Sequence, residues 1–481
     1  MEHKHNLMKH NGHGTAGQGN SLHDATEAFG SGSIPKTVVK NCIPALIAML
    51  MVMVYNLADT FFIGLTHDDM QVAAVSLGTP IFMIFMSLGT LFGVGGTAAI
   101  SRALGAGNKE YAAKISSFCM WACIAVGLFI TVILWGFLDK IIVMLGASAN
   151  TMDFTRSYIA ITSGGGIFTM IAVCFSNIIR ADGQPMKAMI GTVVGNLLNI
   201  VLDPIMILWL GWGVTGAAVA TVIGNLVGAV YYIVYFLKGD TSLSIGIRKF
   251  SMKQGIFKAV VSIGISASLT NLLVSLSTIL VNGQLAKYGD LGDLYVAGYG
   301  VTSKVLLVVV MVGIGIGAGT QPIFGYCYGA KNKERLKGSI RFSTIFGTAC
   351  CLAGAALCFI FAGPIVKIFL THAEAYDSAI HFTRILMTTA WVIAAFAVFQ
   401  GALQAMGAAL ASLLPSVFRQ CIIFIPAMYI LNSILGVDGL LWAQPVADVL
   451  SLIMIYLLMV RKIRKSDFSK SAENESADNE E

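Results

Sequence analysis

Long apolar stretches recur along this chain, and they restrict it to one kind of architecture. Val38 to Phe62, Ile115 to Leu138 and Leu306 to Ile323 are examples. About 20 apolar residues in a helix, rising about 1.5 Å each, cross a hydrocarbon core. Backbone polar groups in lipid have no water to bond, so such segments must be helices or closed barrels. Of the 481 residues only 12% are charged and 56% are hydrophobic, with a mean hydropathy of +0.78. Soluble domains carry about 25% charged residues, so a soluble reading is excluded. The expected fold class is all-α: a polytopic membrane protein of twelve transmembrane helices.

The chain ends have a different composition. Residues 1–33 are rich in Gly, Ser and His (His3, His5, His10, His13, His23) and lack the apolar core of a signal peptide. They are expected to form a disordered cytoplasmic tail, with irregular histidine spacing that gives little support to a metal site. Residues 461–481 are expected to be a second cytoplasmic tail, acidic toward its end. The nine cysteines lie in or beside apolar stretches without CxxC spacing, so they are read as packing residues.

Apolar runs place spans near 36–63, 70–101, 113–138, 155–180, 187–210, 214–237, 256–286, 294–327, 338–367, 378–405, 409–432 and 438–460. Lys and Arg concentrate in alternate connections: 102–114, 238–258, 331–341 and 461–470. The positive-inside rule assigns these to the cytoplasm, with both termini, in a plasma membrane. The net charge of +6 then reflects topology and not nucleic-acid binding.

An internal repeat lies at an offset of about 224 residues. Gly93-Val94-Gly95 matches Gly317-Ala318-Gly319, and Gly105 to Glu110 matches Gly329 to Glu334. Arg180 to Gly183 matches Gln404 to Gly407, and Gly213 to Gly216 matches Gly436 to Gly439. Two six-helix lobes follow, 34–237 and 256–460, joined by a basic cytoplasmic linker at 238–255. An even number of spans per lobe gives both the same orientation, related by an axis along the membrane normal. Small-xxx-small pairs such as Gly313/Gly317 and Gly224/Gly228 indicate close helix packing. The GxxxxGK[ST] phosphate loop is absent, so ATP is not expected to drive the protein.

An ionisable group at mid-bilayer costs about 2.5–3.5 kcal/mol, so each needs a partner or a function. Asp59, Asp203, Lys304, Arg419 and Asp448 are the ones within apolar runs. Counted outward from Trp212, Asp203 faces Thr221 across the span 5–span 6 hairpin, and Asn199 faces Asn225 one turn deeper. Tyr55 and Asp59 share a face of span 1 at compatible depth. The first lobe offers no base to these carboxylates. Either one Asp holds a proton, or a small hard cation sits among the oxygens of Asp59, Asn199, Asp203 and Thr221. Plain inter-helix hydrogen bonding is the bland alternative, strongest for Asn225. Asp448 shares its half with Lys304 and Arg419, which reads as a buried ion pair or a cavity contact. Pro44 permits a kink in the helix that bears Asp59. Met49, Met51, Met53, Met83 and Met86 are candidates for an adaptable binding wall, or for packing.

Tyr55 to Gly64, Arg180 to Pro185 and Leu198 to Pro204 resemble the multidrug and toxic compound extrusion (MATE) transporters, with similarity from about Ile34 to Met459. The resemblance implies two lobes around a central cleft, alternating access, and export of hydrophobic, often cationic, compounds in exchange for Na+ or H+. In the branch whose cation site lies in the first lobe, motif positions correspond to Asp59, Asn199, Asp203 and Thr221, with Tyr55 nearby and Pro44 as the bending proline. Another branch carries acidic residues in spans 7 and 10, where this chain has none in the apolar parts. The expectation is therefore a secondary antiporter, not an enzyme. It has no catalytic residues and no cofactor beyond Na+ or H+ as coupling ion. Its partners are small-molecule drugs, expected to be organic cations, and the lipid bilayer, and it acts as a monomer without nucleic acid. The alternative is a flippase for a lipid-linked precursor, which has only Lys304 and Arg419 to grip a pyrophosphate. The repeat is one of backbone more than of chemistry: Asp203 falls opposite Pro426 and Ala427, and Asp59 opposite Gly283 and Gln284.

Overall fold

The computed structural model describes residues 29–239, 241–369, 373–466 and 468. Among them, ten helices are individually long and apolar enough to cross a membrane, and two bent pairs bring the total to 12. Spans 1 to 3 are Ile34–Gly64, Asp69–Gly105 and Lys109–Gly136. Span 4 is the bent pair Met152–Gly164 and Gly166–Ala181. Span 5 is Pro185–Asp203 continued by a π turn at Pro204–Trp209, and span 6 is Gly213–Leu237. In the second lobe, spans 7 to 9 are Ile256–Leu285, Gly292–Gly329 and Lys333–Ile360. Span 10 is the bent pair Ala373–Met387 and Val392–Ala405. Span 11 runs from Ala409–Val417 through a π turn at Phe418–Ile422 into Phe424–Leu435, and span 12 is Val437–Lys465. The chain is all-α, in two pseudo-symmetric six-helix lobes.

The repeated Gly-Ala-X-Asn-Lys-Glu motif makes the turns between spans 2 and 3 and between spans 8 and 9. Asn108 Oδ1 accepts from the Tyr111 amide and Asn332 Oδ1 from the Arg335 amide, both at 2.9 Å, capping the next helix. The preceding residue is left-handed in each case, φ 75° at Gly107 and 57° at Lys331. Glu110 and Glu334 occupy the first turns, where a negative charge complements the helix dipole.

Spans 4 and 10 are not the straight segments that hydropathy alone describes. They bend by 49° and 47°. In span 4 the break falls at Gly164 to Gly166, where a Cβ on Gly166 would lie 2.3 Å from the Phe85 ring. The repeat-related break in span 10 lacks glycine. There Thr388 Oγ1 donates to the Ile385 carbonyl and Trp391 Nε1 to the Thr388 carbonyl. Side-chain bonding to freed backbone oxygens maintains the bend that glycines allow in the first lobe.

The lobes exchange contacts through a pseudo-twofold arrangement. Span 1 packs on span 8, span 7 packs on span 2, and spans 2 and 8 cross each other. The approach is backbone to backbone. Cβ atoms added to Gly95 and Gly264 would fall 2.1 Å from the carbonyl oxygens of Val260 and Leu91. At Gly105 and Gly329 they would fall 2.1 Å from those of Tyr326 and Arg102. All four sites lie toward the end of the bundle that carries the Lys- and Arg-rich connections. At that basic end, Arg102 of span 2 donates from Nη1 to the carbonyls of Ala405 at 2.7 Å and Gln404 at 3.3 Å. These belong to the last turn of span 10, where a cation also complements the helix dipole.

The expected N-terminal tail differs in part. Residues 1–28, with all five tail histidines, lie outside the described residues, but Phe29 is 2% exposed and stacks edge-on against Tyr326. Arg335 Nε donates to its carbonyl. The connection between the lobes is also attached: Ser117 Oγ donates to the Gly246 carbonyl at 2.8 Å and Trp121 Nε1 to the Ile245 carbonyl at 3.1 Å. Asp182, just past span 4, fastens its start by accepting from Tyr235 at 2.7 Å, Thr241 at 2.5 Å and Ser242 at 3.3 Å. Burial raises the Asp182 carboxyl to about 6, although these hydrogen bonds favour its charged form.

The native state therefore holds this proton more tightly than the unfolded chain does. Raising pH through the interval from about 4 to 6 should lower stability, with no further change from this group above it. Asp182→Asn is expected to flatten that part of the profile in thermal unfolding of the detergent-solubilised protein. An unchanged slope would remove Asp182 as its source.

Candidate functional site

Two polar groupings stand out within the apolar bundle, one in each lobe. In the first, Asp203 ends the regular helix of span 5, and Pro204 immediately follows it. Proline has no amide hydrogen to return and its ring crowds the preceding turn, so the helix widens into the π turn at Pro204–Trp209. Asn199 lies one turn earlier on the same face. Its Nδ2 donates to Asp203 Oδ1 at 3.3 Å and to Thr221 Oγ1 of span 6 at 3.5 Å. Asp203 is fully buried, Asn199 and Thr221 nearly so. Asp59 of span 1 and Tyr55 one turn before it lie within electrostatic reach of Asp203.

Asp59 Oδ1, Asp203 Oδ2 and Asn199 Oδ1 are all buried and accept no hydrogen bond among the described residues. An oxygen-rich site with two carboxylates and no donors for these atoms suits a proton or a hard monovalent cation. Among the described residues no group of three or more His, Cys, Asp and Glu side chains could hold a metal ion. The donor set here is two carboxylates with neutral oxygens.

The arrangement corrects the hairpin register. Asn199 meets Thr221 and abuts Gly224, where a Cβ would fall 3.1 Å from the Asn199 Cβ. The pairing is thus centred near Leu210 and Gly211 and not on Trp212, because the π turn takes up extra residues at the end of span 5. Asn225 consequently does not pair with Asn199 and is only half-buried. Pro44 is buried within a helix that is continuous over Ile34–Gly64.

Tyr158 is an addition. This buried residue of span 4 lies within electrostatic reach of Asp59, Tyr55 and Asp203, with its ring in the space that Gly78 leaves open. A single tyrosine in an apolar run resembles any interfacial tyrosine, and only the small residue opposite signals its position. Arg180 is also buried, donating from Nη1 to Asn177 Oδ1 at 2.9 Å. With Asp182 on the linker and Pro185 opening span 5, the Arg180 to Pro185 motif mainly organises the basic end.

The second grouping lines a cavity of about 590 Å³ between the lobes. Spans 7, 8, 10, 11 and 12 supply most of its wall, while Thr90, Val94 and Asn177 represent the first lobe. The charged residues lining it are Lys304, Arg419 and Asp448. Arg419 Nε donates to Asp448 Oδ1 at 2.6 Å, and Gln444 Nε2 donates to the same oxygen at 2.7 Å. The Arg419 guanidinium also lies over the Phe396 ring, 5.1 Å from its centroid. Arg419 sits within the π turn of span 11, so each lobe places a charged residue at the π turn of its fifth span. Met49, Met51, Met53, Met83 and Met86 are not among the lining residues, nor are Asp59 and Asp203.

Asp448 is 5% exposed, so removing its partner would leave a buried carboxylate without a cation. Arg419→Met alone is expected to destabilise the protein by about 3–5 kcal/mol, and Arg419→Met with Asp448→Leu by much less. Chemical unfolding in detergent should show that non-additivity. Equal losses in the two proteins would mean that the ion pair has no structural weight.

Two lobes exchanging their first helices, a buried acidic site without a base and a drug-sized cavity between the lobes define a membrane carrier of the two-repeat type. The family model MatE matches twice, at residues 44–205 and 266–430. The chain belongs to this family. Multidrug export protein MepA of Staphylococcus aureus (strain MSSA476) is 30% identical over 442 residues, spanning 90% of this chain and 96% of that protein. The MepA of Staphylococcus haemolyticus (strain JCSC1435) is 31% identical over 438 residues, with the same coverage. A MATE crystal structure in complex with MaL6 superposes with a TM-score of 0.88 at 26% identity, covering 93% of this chain and 99% of that one. An outward-facing multidrug resistance MATE transporter of the MOP superfamily gives 0.87 at 26% identity, covering 95% and 99%.

Proposed function

We propose that this protein is a secondary active multidrug exporter, expelling hydrophobic and cationic compounds in exchange for Na+ or H+ by alternating access. The observation that carries the coupling is the buried pair Asp59 and Asp203, with acceptor oxygens that no donor satisfies. Its placement links ion to lobes. Span 1 bears Asp59, packs on span 5 where Asp203 sits, and reaches across to span 8 of the other lobe.

A proton or cation arriving at Asp59 and Asp203 relieves their repulsion and draws spans 1 and 5 together. Pro44 lowers the resistance of span 1 to bending, because its ring nitrogen cannot donate to the carbonyl one turn back. The seam with span 8 then loosens or tightens with the charge state. A ligand shifts such an equilibrium only by its differential affinity for the two states, and an uncompensated acid pair provides that difference.

The basic end is assigned to the cytoplasm, with both termini there, in the cell membrane of a monomeric carrier. The close approach of the lobes at this end makes the conformation outward-facing. The cavity volume fits a drug-sized molecule, which favours export of small compounds over flipping of a lipid-linked precursor. The deciding experiment measures efflux of a cationic dye from vesicles containing the purified protein, under a Na+ gradient and separately under a pH gradient. Accumulation against the dye gradient with at least one ion is the expected result. Dye movement indifferent to both gradients would refute ion-coupled export.

A further inference from the structure

The last part of the connection between the lobes, with the start of span 7, mixes two kinds of side chain. From Ile247 to Lys258 it reads Ile-Arg-Lys-Phe-Ser-Met-Lys-Gln-Gly-Ile-Phe-Lys, with four cations and no acid. Arg248, Lys249, Lys253 and Lys258 are exposed, and none forms an ion pair or a side-chain hydrogen bond among the described residues. Glu110 lies within electrostatic reach of Lys249 but is already paired with Lys114 at 2.7 Å. The basic turn between spans 8 and 9 differs. There Lys333 lies over the Phe468 ring, Lys337 pairs with Glu334, and Arg335 donates to the Phe29 carbonyl.

The backbone of this connection is fixed at a definite depth. The Ser244 amide donates to Ser116 Oγ at 3.0 Å, and the Tyr111 hydroxyl donates to the Gln254 carbonyl at 3.2 Å. The Phe250 ring stacks on Phe118 at 6.1 Å between centroids, and Phe257 meets the same ring edge-on at 6.3 Å. Lys114 is the last charge of span 3, so a strand of chain bonded to Ser116 rests where headgroups give way to hydrocarbon. Trp121, which also bonds to the connection, is a residue typical of that level. Ile247, Met252 and Phe257 are 63%, 57% and 51% exposed although apolar. At a lipid boundary such side chains enter the upper acyl region, while Lys and Arg stems extend along it and put their charges among the phosphates.

We propose that the face from Ile247 to Lys258 is a docking surface for anionic phospholipid, with Arg248, Lys249, Lys253 and Lys258 holding the headgroup and the apolar residues between them entering the acyl boundary. The positive-inside bias accounts for basic residues in this connection, but not for exposed apolar side chains interleaved with them on a fixed backbone. The connection is fastened to span 3 of the first lobe and runs directly into span 7 of the second. A lipid held there ties the basic ends of both lobes to one leaflet. The surface does not depend on what the cavity carries.

The test is native mass spectrometry of the full-length protein in detergent, equilibrated with equal amounts of dioleoylphosphatidylglycerol and dioleoylphosphatidylcholine. The affinity ratio of the anionic to the zwitterionic lipid is the readout, because it cancels general effects on folding. Each basic residue near an anionic surface contributes a factor of about five, so the wild type should prefer the anionic lipid at least about tenfold. Arg248→Gln, Lys249→Gln, Lys253→Gln and Lys258→Gln together should bring the ratio to within about twofold of one. The same loss of four charges at the end of span 12, by Arg461→Gln, Lys462→Gln, Arg464→Gln and Lys465→Gln, should leave most of the preference in place.

A ratio unchanged within about twofold in the first variant would overturn the docking surface. An equal fall in both variants would overturn it too, since net charge and not this face would then attract the lipid. Glycerol 3-phosphate is added in a third arm and is expected not to displace the anionic lipid at equal concentration. Displacement would show that the cations bind phosphate alone, and the lipid surface would fail.

Discussion

Replacing Asp203 with asparagine is expected to abolish uphill drug export while leaving the protein as stable as before or more so. Asp203 is fully buried among Asn199, Thr221 and Asp59, with no base at hand. Its charge is a burden on the fold, and a neutral isostere removes that burden while preserving an acceptor for Asn199. What asparagine cannot do is change its charge when an ion arrives. Drug accumulation under either gradient should fall at least about tenfold, the loss that accompanies about 1.4 kcal/mol of coupling free energy. A melting temperature at or above that of the wild type would separate lost coupling from lost folding. Undiminished export under both gradients would show that the acid pair is not the switch.

The second large effect concerns the seam. Gly264→Val introduces a Cβ that would lie 2.1 Å from the Leu91 carbonyl, and its branches demand still more room. The neighbour is backbone, not the end of a flexible side chain, so spans 2 and 7 must separate. Strain of about 1–3 kcal/mol is expected from overpacking alone. Because the contact spans the two lobes, closure of the basic end should suffer most. Export should drop below about a tenth of wild type, and spin labels at positions 109 and 333 should report a longer distance. Gly283→Ala is the control, since a Cβ there meets nothing within 4 Å. Unaltered distances and transport in Gly264→Val would mean that the seam tolerates separation.

Much of this was legible in the residues themselves. Charges are so rare in the apolar runs that Asp59 and Asp203 draw attention without any structure, and no base lies near them in the first half. The offset of about 224 residues reappears in three dimensions as the matched caps at Asn108 and Asn332 and the seam glycines Gly105 and Gly329. Other features depend on geometry that spacing does not encode. Counting along the hairpin assumed regular helices, and the π turn after Pro204 displaced the pairing, so Asn225 missed its partner. The bend in span 4 falls on three consecutive glycines, Gly164 to Gly166, but its counterpart in span 10 depends on Thr388 and Trp391 bonding to freed carbonyls. Tyr158 reaches the acid pair only because Gly78 leaves room for its ring. Phe29 looked like part of a polar tail because one aromatic residue does not reveal the pocket that receives it.

The glycine seam also bears on how freely the molecule can move. Its opposing faces are Cα hydrogens and carbonyl oxygens, and such weak contacts contribute about 0.5–1 kcal/mol each. Parting them strands few charges and dislodges few long side chains from set rotamers. The seam acts as a bearing more than as a latch. Arg102, bonded to the end of span 10, contributes one directional catch to an otherwise smooth surface. Moving a two-state protein from 1:99 to 99:1 takes about 5.5 kcal/mol of differential binding. A carrier whose mating surfaces offer little resistance can leave that choice to its ligands, which in the function proposed above are an ion at Asp59 and Asp203 and a compound in the cavity.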